Sequence, residues 1–557
     1  MPSISREDFL DAYDLPLEPV HDFQLDSKSA EWAPENPKEW GKESDSFPLP
    51  DYPPDNRGRA YSSIRSAVSG DAKLLAIGFK DKIWIYDIQS QELRQELDGA
   101  GQPYFSPIIR CSDEEGAGDS YGRPAYTLLT AVPTIRERGA LCTEKLILWD
   151  LDKNGRLLDQ EEPIDTSKFA RKAVESIAPE LEEKHEWSKD FIDASELLAK
   201  FERALREVAA DHRRRSNAIF DNACAGSFGS SPFSSDGKKL MFRTNEISDK
   251  PGKPSSDQCH QVVVLDIESG EEQFRMRGHT DNIMWFSFSP DDQHIATVAW
   301  DGTMRMYNGA DGSLQWVENH GGQCWSAAFS PDSEYIVWSC ENGRKVKLHS
   351  VADGQLISEL PHRPSDWCRN FTWNYDGKQI ALCEGRKAIV WKVLDGPENG
   401  EIVQLYEFAP DPTREFFSFA QISSVQWFDN GKKLGLTISD GSYLVWDSQM
   451  NTKELFKRPN GLQVAWTNDG LHYIPAEEGG SYITVDGDCK VRYWRTSSWK
   501  PSGLGPRSWW EKKKASKEYP ETGKYVNITM HAKPKEGEGS AARKAWAEKG
   551  AELLTAQ

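Results

Sequence analysis

The 557-residue chain contains no run of about 18 uninterrupted apolar residues, so no membrane-spanning helix is expected. Met1 to Asp14 has no basic start followed by an apolar stretch, which removes the expectation of a secretory leader. The nine cysteines are scattered and never spaced as Cys-x-x-Cys; that pattern reads as reduced thiols in strands, not a disulfide framework. Positive charge is in deficit, with 67 Lys and Arg against 88 Asp and Glu and a net charge of −21, which disfavours capture of phosphate-rich nucleic acid or anionic lipid. No glycine-rich loop opens a helix where a phosphate would sit. Gly118-Asp119-Ser120-Tyr121-Gly122 has the letters of a serine-hydrolase elbow. It follows the acidic loop Asp113–Gly116, however, and the elbow needs a preceding strand. Cys259-His260 lacks further ligands at metal-binding spacing. The expectation is a protein without a catalytic centre, a cofactor or a metal.

Hydrophobic residues, in contrast, make up 38% of the chain and aromatics 11%, with 21 tryptophans, enough for a sizeable core. Charge is unevenly placed. Residues 1–56 carry 14 acidic against 4 basic side chains, and 500–557 carry 12 basic against 7 acidic.

The strongest signal is periodic. An aromatic residue, two or three polar or small residues and then Gly or a stand-in recur along the chain. The motif reads Phe233-Ser234-Ser235-Asp236-Gly237, Phe288-Ser289-Pro290-Asp291-Asp292, Phe329-Ser330-Pro331-Asp332-Ser333, Trp373-Asn374-Tyr375-Asp376-Gly377, Trp427-Phe428-Asp429-Asn430-Gly431 and Trp466-Thr467-Asn468-Asp469-Gly470, with spacings of 55, 41, 44, 54 and 39 between the aromatics. Asp, Asn and Gly tolerate positive φ, so each motif predicts a strand end entering a tight turn. A second strand, a second turn such as Asp301-Gly302, and a third strand follow. Eight third strands are expected: 83–87, 145–150, 261–266, 303–307, 345–349, 388–393, 443–447 and 490–494. Repeats of about 40–45 residues with four short strands are the sign of a propeller.

On these residues the chain resembles the WD-repeat family. Gly278-His279 opens the fullest repeat, Asp301-Gly302 forms its turn, Tyr307 stands where the family has Trp, and Trp149-Asp150 and Trp446-Asp447 are literal Trp-Asp pairs. The resemblance covers roughly residues 61–500. It implies an all-β propeller of seven or eight four-stranded blades, and a structural hydrogen-bond relay of His279, Thr297, Asp301 and Tyr307. In the following repeat, Asn342 and Leu348 stand at two of these positions, so its relay is expected to be broken.

Three domains are expected: an acidic, Pro-rich arm over 1–60, the propeller over 61–500, and a basic, partly disordered tail over 501–557. His21–Leu25 is a candidate strand to close the ring. The β pattern is interrupted over 151–222, where Leu197, Leu198, Phe201, Leu205 and Val208 share one helical face before Arg213-Arg214-Arg215. This insertion is expected between blades, beside the top face. The function expected is a protein-interaction scaffold in the cytoplasm or nucleus with protein partners. A nucleic-acid-associated role through the basic tail, with its Trp509-Trp510 and Lys512-Lys513-Lys514, stays open as the alternative. An enzyme using the central channel ranks below both. The candidate partner contacts are Trp300, Trp285, Trp325, Trp367, Arg344 and Lys387, because the family layout puts them near the top rim and because exposed Trp and Arg dominate many interfaces.

Overall fold

A computed structural model describes residues 19–33, 44–50, 64–79, 82–109, 124–132, 145–158, 219–220, 223–244, 260–394, 400–408, 421–438, 442–457, 470–475, 480–486 and 489–495. Eight four-stranded antiparallel units, one of them extended by a fifth strand, form a propeller ring. Blade 1 holds Arg65–Val68, Leu74–Phe79, Lys82–Asp87 and Leu93–Asp98. Blade 4 holds Ile283–Phe288, His294–Ala299, Thr303–Asn308 and Leu314–Asn319, and blade 5 holds Ala327–Phe329, Tyr335–Cys340, Lys345–Ser350 and Leu356–Glu359. All eight expected third strands are present, so the ring has eight blades.

The second and third strands read as continuous apolar runs because both faces are covered. In Leu74–Phe79 all six residues are buried. Leu75 and Ile77 pack towards blade 8, while Leu74 and Ala76 pack towards blade 2. The core is accordingly divided into eight clusters, one per seam between neighbouring blades. The outermost strands are half-solvated, as Leu314–Asn319 shows with no fully buried residue.

The aromatic turn motif has a clear chemical basis. In blade 4, Ser289 donates its hydroxyl to Asp291 at 2.5 Å and accepts the backbone N–H of His294 at 3.0 Å. Ser330 does the same with Asp332 and Tyr335, and Ser69 with Asp71 and Leu74. The residue that ends the motif takes positive φ: 64° at Gly237, 59° at Asp292, 65° at Ser333 and 69° at Gly377. The Trp466 motif lies outside the described residues.

The N-terminal arm closes the ring, but not through the strand expected. Asp45–Pro48 pairs antiparallel with Lys490–Arg495 and becomes the outermost strand of blade 8. Pro48 is tolerated there because an edge strand does not need its missing N–H. His21 forms an isolated bridge with Glu407 on blade 6, and Glu31–Trp32 adds a parallel fifth strand to Thr452–Lys457 of blade 7. Phe23 is completely buried, stacked between Trp446 at 4.5 Å and Tyr406 at 5.2 Å.

The interruption at 151–222 also sits elsewhere than expected. Lys145–Leu151 is the third strand of blade 2, and Ile219–Phe220 pairs with it as the outermost strand. The insertion therefore falls within one blade, not between two. The expected helical face over 197–208 and the tail from 501 lie outside the described residues.

Candidate functional site

The turns between second and third strands and the crossings between blades meet at one end of the ring, which we call the top. Here blades 4, 5 and 6 repeat one device. A side chain 22 residues after a crossing histidine, or 19 after a crossing amide, reaches back to hold the crossing. Asp301 accepts the N–H of Thr280 at 3.0 Å, Asn342 that of Gln323 at 2.9 Å, and Glu384 that of Ser365 at 2.9 Å. Blade 4 adds the fullest network. His279 meets Asp301 through Nδ1 at 2.9 Å and Thr297 Oγ1 through Nε2 at 2.7 Å. Thr303 donates its hydroxyl to Asp301 at 2.6 Å. Tyr307 stands on the same network through Thr297 and donates to the Arg277 carbonyl at 3.4 Å. Blade 6 pairs His362 with Glu384 at 2.9 Å, a pair whose 22-residue separation matches His279 to Asp301.

These groups also make stability depend on pH. Burial pushes the His279 imidazole below its ordinary pKa, with Asp301 opposing. Burial works against ionisation of Asp301, but the bonds from His279, Thr303 and Thr280 prevail and hold its carboxyl well below the usual carboxylate range. Both shifts are downward, so both stabilise the fold at high pH. The His279 contribution fades as pH falls below the unfolded imidazole value of about 6.5, and the Asp301 contribution only below about 3.9. The urea midpoint of the wild type is expected to fall between pH 7.5 and pH 5, and to fall less in His279→Gln. Equal slopes in the two proteins would contradict this.

On the crossings held by this device sits an aromatic cluster. Trp325 and Trp367 stack with centroids 5.2 Å apart and planes 17° apart. Trp300 meets Trp325 edge-on at 5.2 Å. The guanidinium of Arg369 lies 4.0 Å from the Trp367 ring and 4.3 Å from the Trp325 ring. Phe228 completes the group, edge-on to Trp325 at 5.7 Å. It arrives on a loop of blade 3 that crosses the inner strands of its neighbours. Ser227 donates its N–H to the Met284 carbonyl, Ser326 its hydroxyl to the Phe228 carbonyl, and Tyr104 its hydroxyl to the Gly226 carbonyl. Phe228 takes φ 53°, a strained conformation for a bulky residue, followed by Gly229 at 85°. Burial brings the pKa of Arg369 down to about 10.

The expected contact residues separate into three groups. Trp300, Trp325 and Trp367 are brought together, and of these Trp367 is the most open at 44% exposure. Trp285 is 2% exposed and packs against Phe329 in the seam between blades 4 and 5, so it is a core residue and not a contact. Arg344 is exposed at the turn of blade 5, whereas Lys387 faces the buried Glu384 at 3.5 Å and compensates its charge. Phe228 and Arg369 were not among the expected residues. Arg369 lies two residues beyond Trp367, a legible signal, but Phe228 reaches the cluster only through the path of its loop.

Eight radially arranged four-stranded sheets, with a His–Thr–Asp network in one of them, define a β-propeller. Residues 270–308 and 312–350 match the family model for the WD domain, G-beta repeat, so two stretches of this eight-bladed propeller carry the WD-repeat pattern. It is similar to coronin-7 of Rattus norvegicus, 34% identical over 82 residues that make up 15% of this chain and 8% of that protein. It is likewise similar to coronin-7 of Homo sapiens, 32% over 99 residues, and to protein hir1 of Schizosaccharomyces pombe, 23% over 227 residues. The matched stretches span 8%, 10% and 24% of the lengths of these three relatives. Among solved structures, the computationally designed Ika8 protein is similar at a TM-score of 0.45 and 14% identity, over 79% of this chain and 98% of that one. No helix among the described residues is long and apolar enough to cross a membrane.

Proposed function

We propose that this protein is a non-catalytic interaction scaffold, and that it holds its protein partners on the top face of blades 4 to 6. The observation that carries this reading is Trp367, stacked on Trp325 and Arg369 yet 44% exposed. Leaving that much indole in water is unfavourable unless a partner covers it. Trp and Arg are also the side chains that most often dominate interfaces. The crossings beneath are fixed by Asp301, Asn342 and Glu384, so the anchor is rigid before binding and little ordering cost remains at association. Arg344, exposed at the rim, favours a partner segment that carries a carboxylate beside its apolar anchor, whereas Arg363 already faces Glu341 at 3.6 Å. Cys324, Cys340, Cys368 and Cys383 are buried free thiols, which supports a place in the reducing cytoplasm or nucleus.

Trp367→Ala tests the reading. The substitution removes a half-exposed ring, so the thermal midpoint should move little. Affinity for partners recovered with the full chain should fall by about 30-fold, the effect of losing a 2 kcal/mol anchor. Unchanged recovery of every partner by a folded Trp367→Ala protein would count against this face.

A further inference from the structure

A second polar cluster lies between blades 4 and 5, where the crossing that leads to Trp325 begins. Glu318 stands on the outermost strand of blade 4, His320 on the crossing that follows, and His349 on the third strand of blade 5. One carboxylate oxygen and one nitrogen from each imidazole all lie within 4.8 Å of one another. Glu318 Oε2 is 3.1 Å from His320 Nε2.

His349 is the informative member. It is 1% exposed, and its Nδ1 faces the Gly354 carbonyl at 2.8 Å. That bond places the proton on Nδ1 and leaves Nε2 with its lone pair. Nε2 is buried and has no hydrogen-bond partner. A buried acceptor without a partner is costly in an ordinary seam. An imidazole whose far N–H is tied to a backbone carbonyl is, however, the usual preparation of a metal ligand. Trp338 and Trp316 pack around the two rings, with centroids 5.9 and 6.5 Å from His349, and fix their orientation.

The charges facing the cluster are Lys347, Lys345 and Glu359. The Lys347 ammonium lies 3.1 Å from His320 Nδ1 and 4.0 Å from Glu359, and Lys345 lies 3.5 Å from Glu359. Lys347 is 6% exposed, so the cluster already accommodates a cation.

We propose that Glu318, His320 and His349 form a binding site for one zinc-class divalent ion, which ties the outer edge of blade 4 to blade 5. Two imidazoles and one carboxylate are a nitrogen-rich set suited to Zn2+ or Co2+, not to the oxygen-seeking Mg2+ or Ca2+. Lys347 is the competing cation and turns towards Glu359 when the ion enters.

The experiment is a titration of the metal-stripped full chain with Zn2+ by calorimetry and with Co2+ by visible absorption, at pH 7.5. Glu318→Gln removes a partly exposed ligand at little structural cost, and His349→Phe keeps an aromatic ring in the seam. Both are expected to weaken one equivalent of binding by at least about tenfold, with loss of the cobalt absorption. Lys347→Met is expected to tighten the same equivalent by about tenfold, because it removes the competing charge. Zn2+ should raise the thermal midpoint of the wild type but not of Glu318→Gln. An absence of saturable binding by Lys347→Met, or an affinity unchanged in both ligand variants, would overturn the proposal.

Discussion

A chain that begins at residue 51 is expected to lose the cooperative unfolding transition of the full-length protein or to melt far below it. The arm supplies parts of two seams. Phe47 and Leu49, 7% and 2% exposed, belong to the cluster between blades 8 and 1. Their removal uncovers Val491 and Tyr493 and leaves the Lys490–Arg495 strand as an unpaired edge. Phe23 seals the outer end of the seam between blades 6 and 7, where Asp22 also pairs with the buried Lys453. Phe23→Ala alone should cost about 3–5 kcal/mol, the range for deleting a fully buried aromatic side chain. Circular-dichroism melts and urea midpoints check both forms. A synthetic peptide covering 19–50 should restore the transition of the truncated chain, since the arm makes its contacts as a separate outer strand. A truncated chain as stable as the full-length protein would show that the ring closes without the arm.

The second large effect is expected at Asp301. Its side chain is 5% exposed and accepts from His279, from the N–H of Thr280, and from both the N–H and the hydroxyl of Thr303. Asp301→Ala strands these donors in a buried turn, at a cost of about 3 kcal/mol or more. Asp301→Asn should cost roughly half as much, because an amide oxygen can still accept from the crossing. Blade 5 is the internal precedent, where Asn342 does this for Gln323. The order wild type, Asn, Ala in urea midpoint is the expected result. An Ala variant as stable as the Asn variant would show that the network contributes no more than packing.

Much of this architecture was legible in the residues. The aromatic turn motifs and the eight third strands are local features, and local chemistry writes itself into spacing; the pairing of His279 with Asp301 was what the family resemblance implied. The identity of the closing strand was not legible. Asp45–Pro48 is polar and carries a proline, and it becomes a strand only because the edge of Lys490–Arg495, more than 440 residues away, has a place for it. Trp285 and Trp325 follow their histidines by 6 and 5 residues, yet Trp285 turns into a seam while Trp325 faces the cluster. That difference arises from which neighbour each ring meets, and the spacing does not carry it. The contribution of Phe228 is set by a loop that crosses the ring. The His362–Glu384 pair was available, since its separation repeats that of the blade 4 pair.

The central claim is that partners sit on the Trp367 face. Site-specific photo-cross-linking in the full chain tests it most directly, with a photoreactive residue at position 367 and, in a second protein, at position 375. Tyr375 is 62% exposed in the turn that starts the second strand of blade 6, at the opposite end of the ring. Partner proteins should cross-link from 367, lose the cross-link when Arg369→Ala is added, and fail to cross-link from 375. Partners captured from 375 and not from 367 would contradict the account.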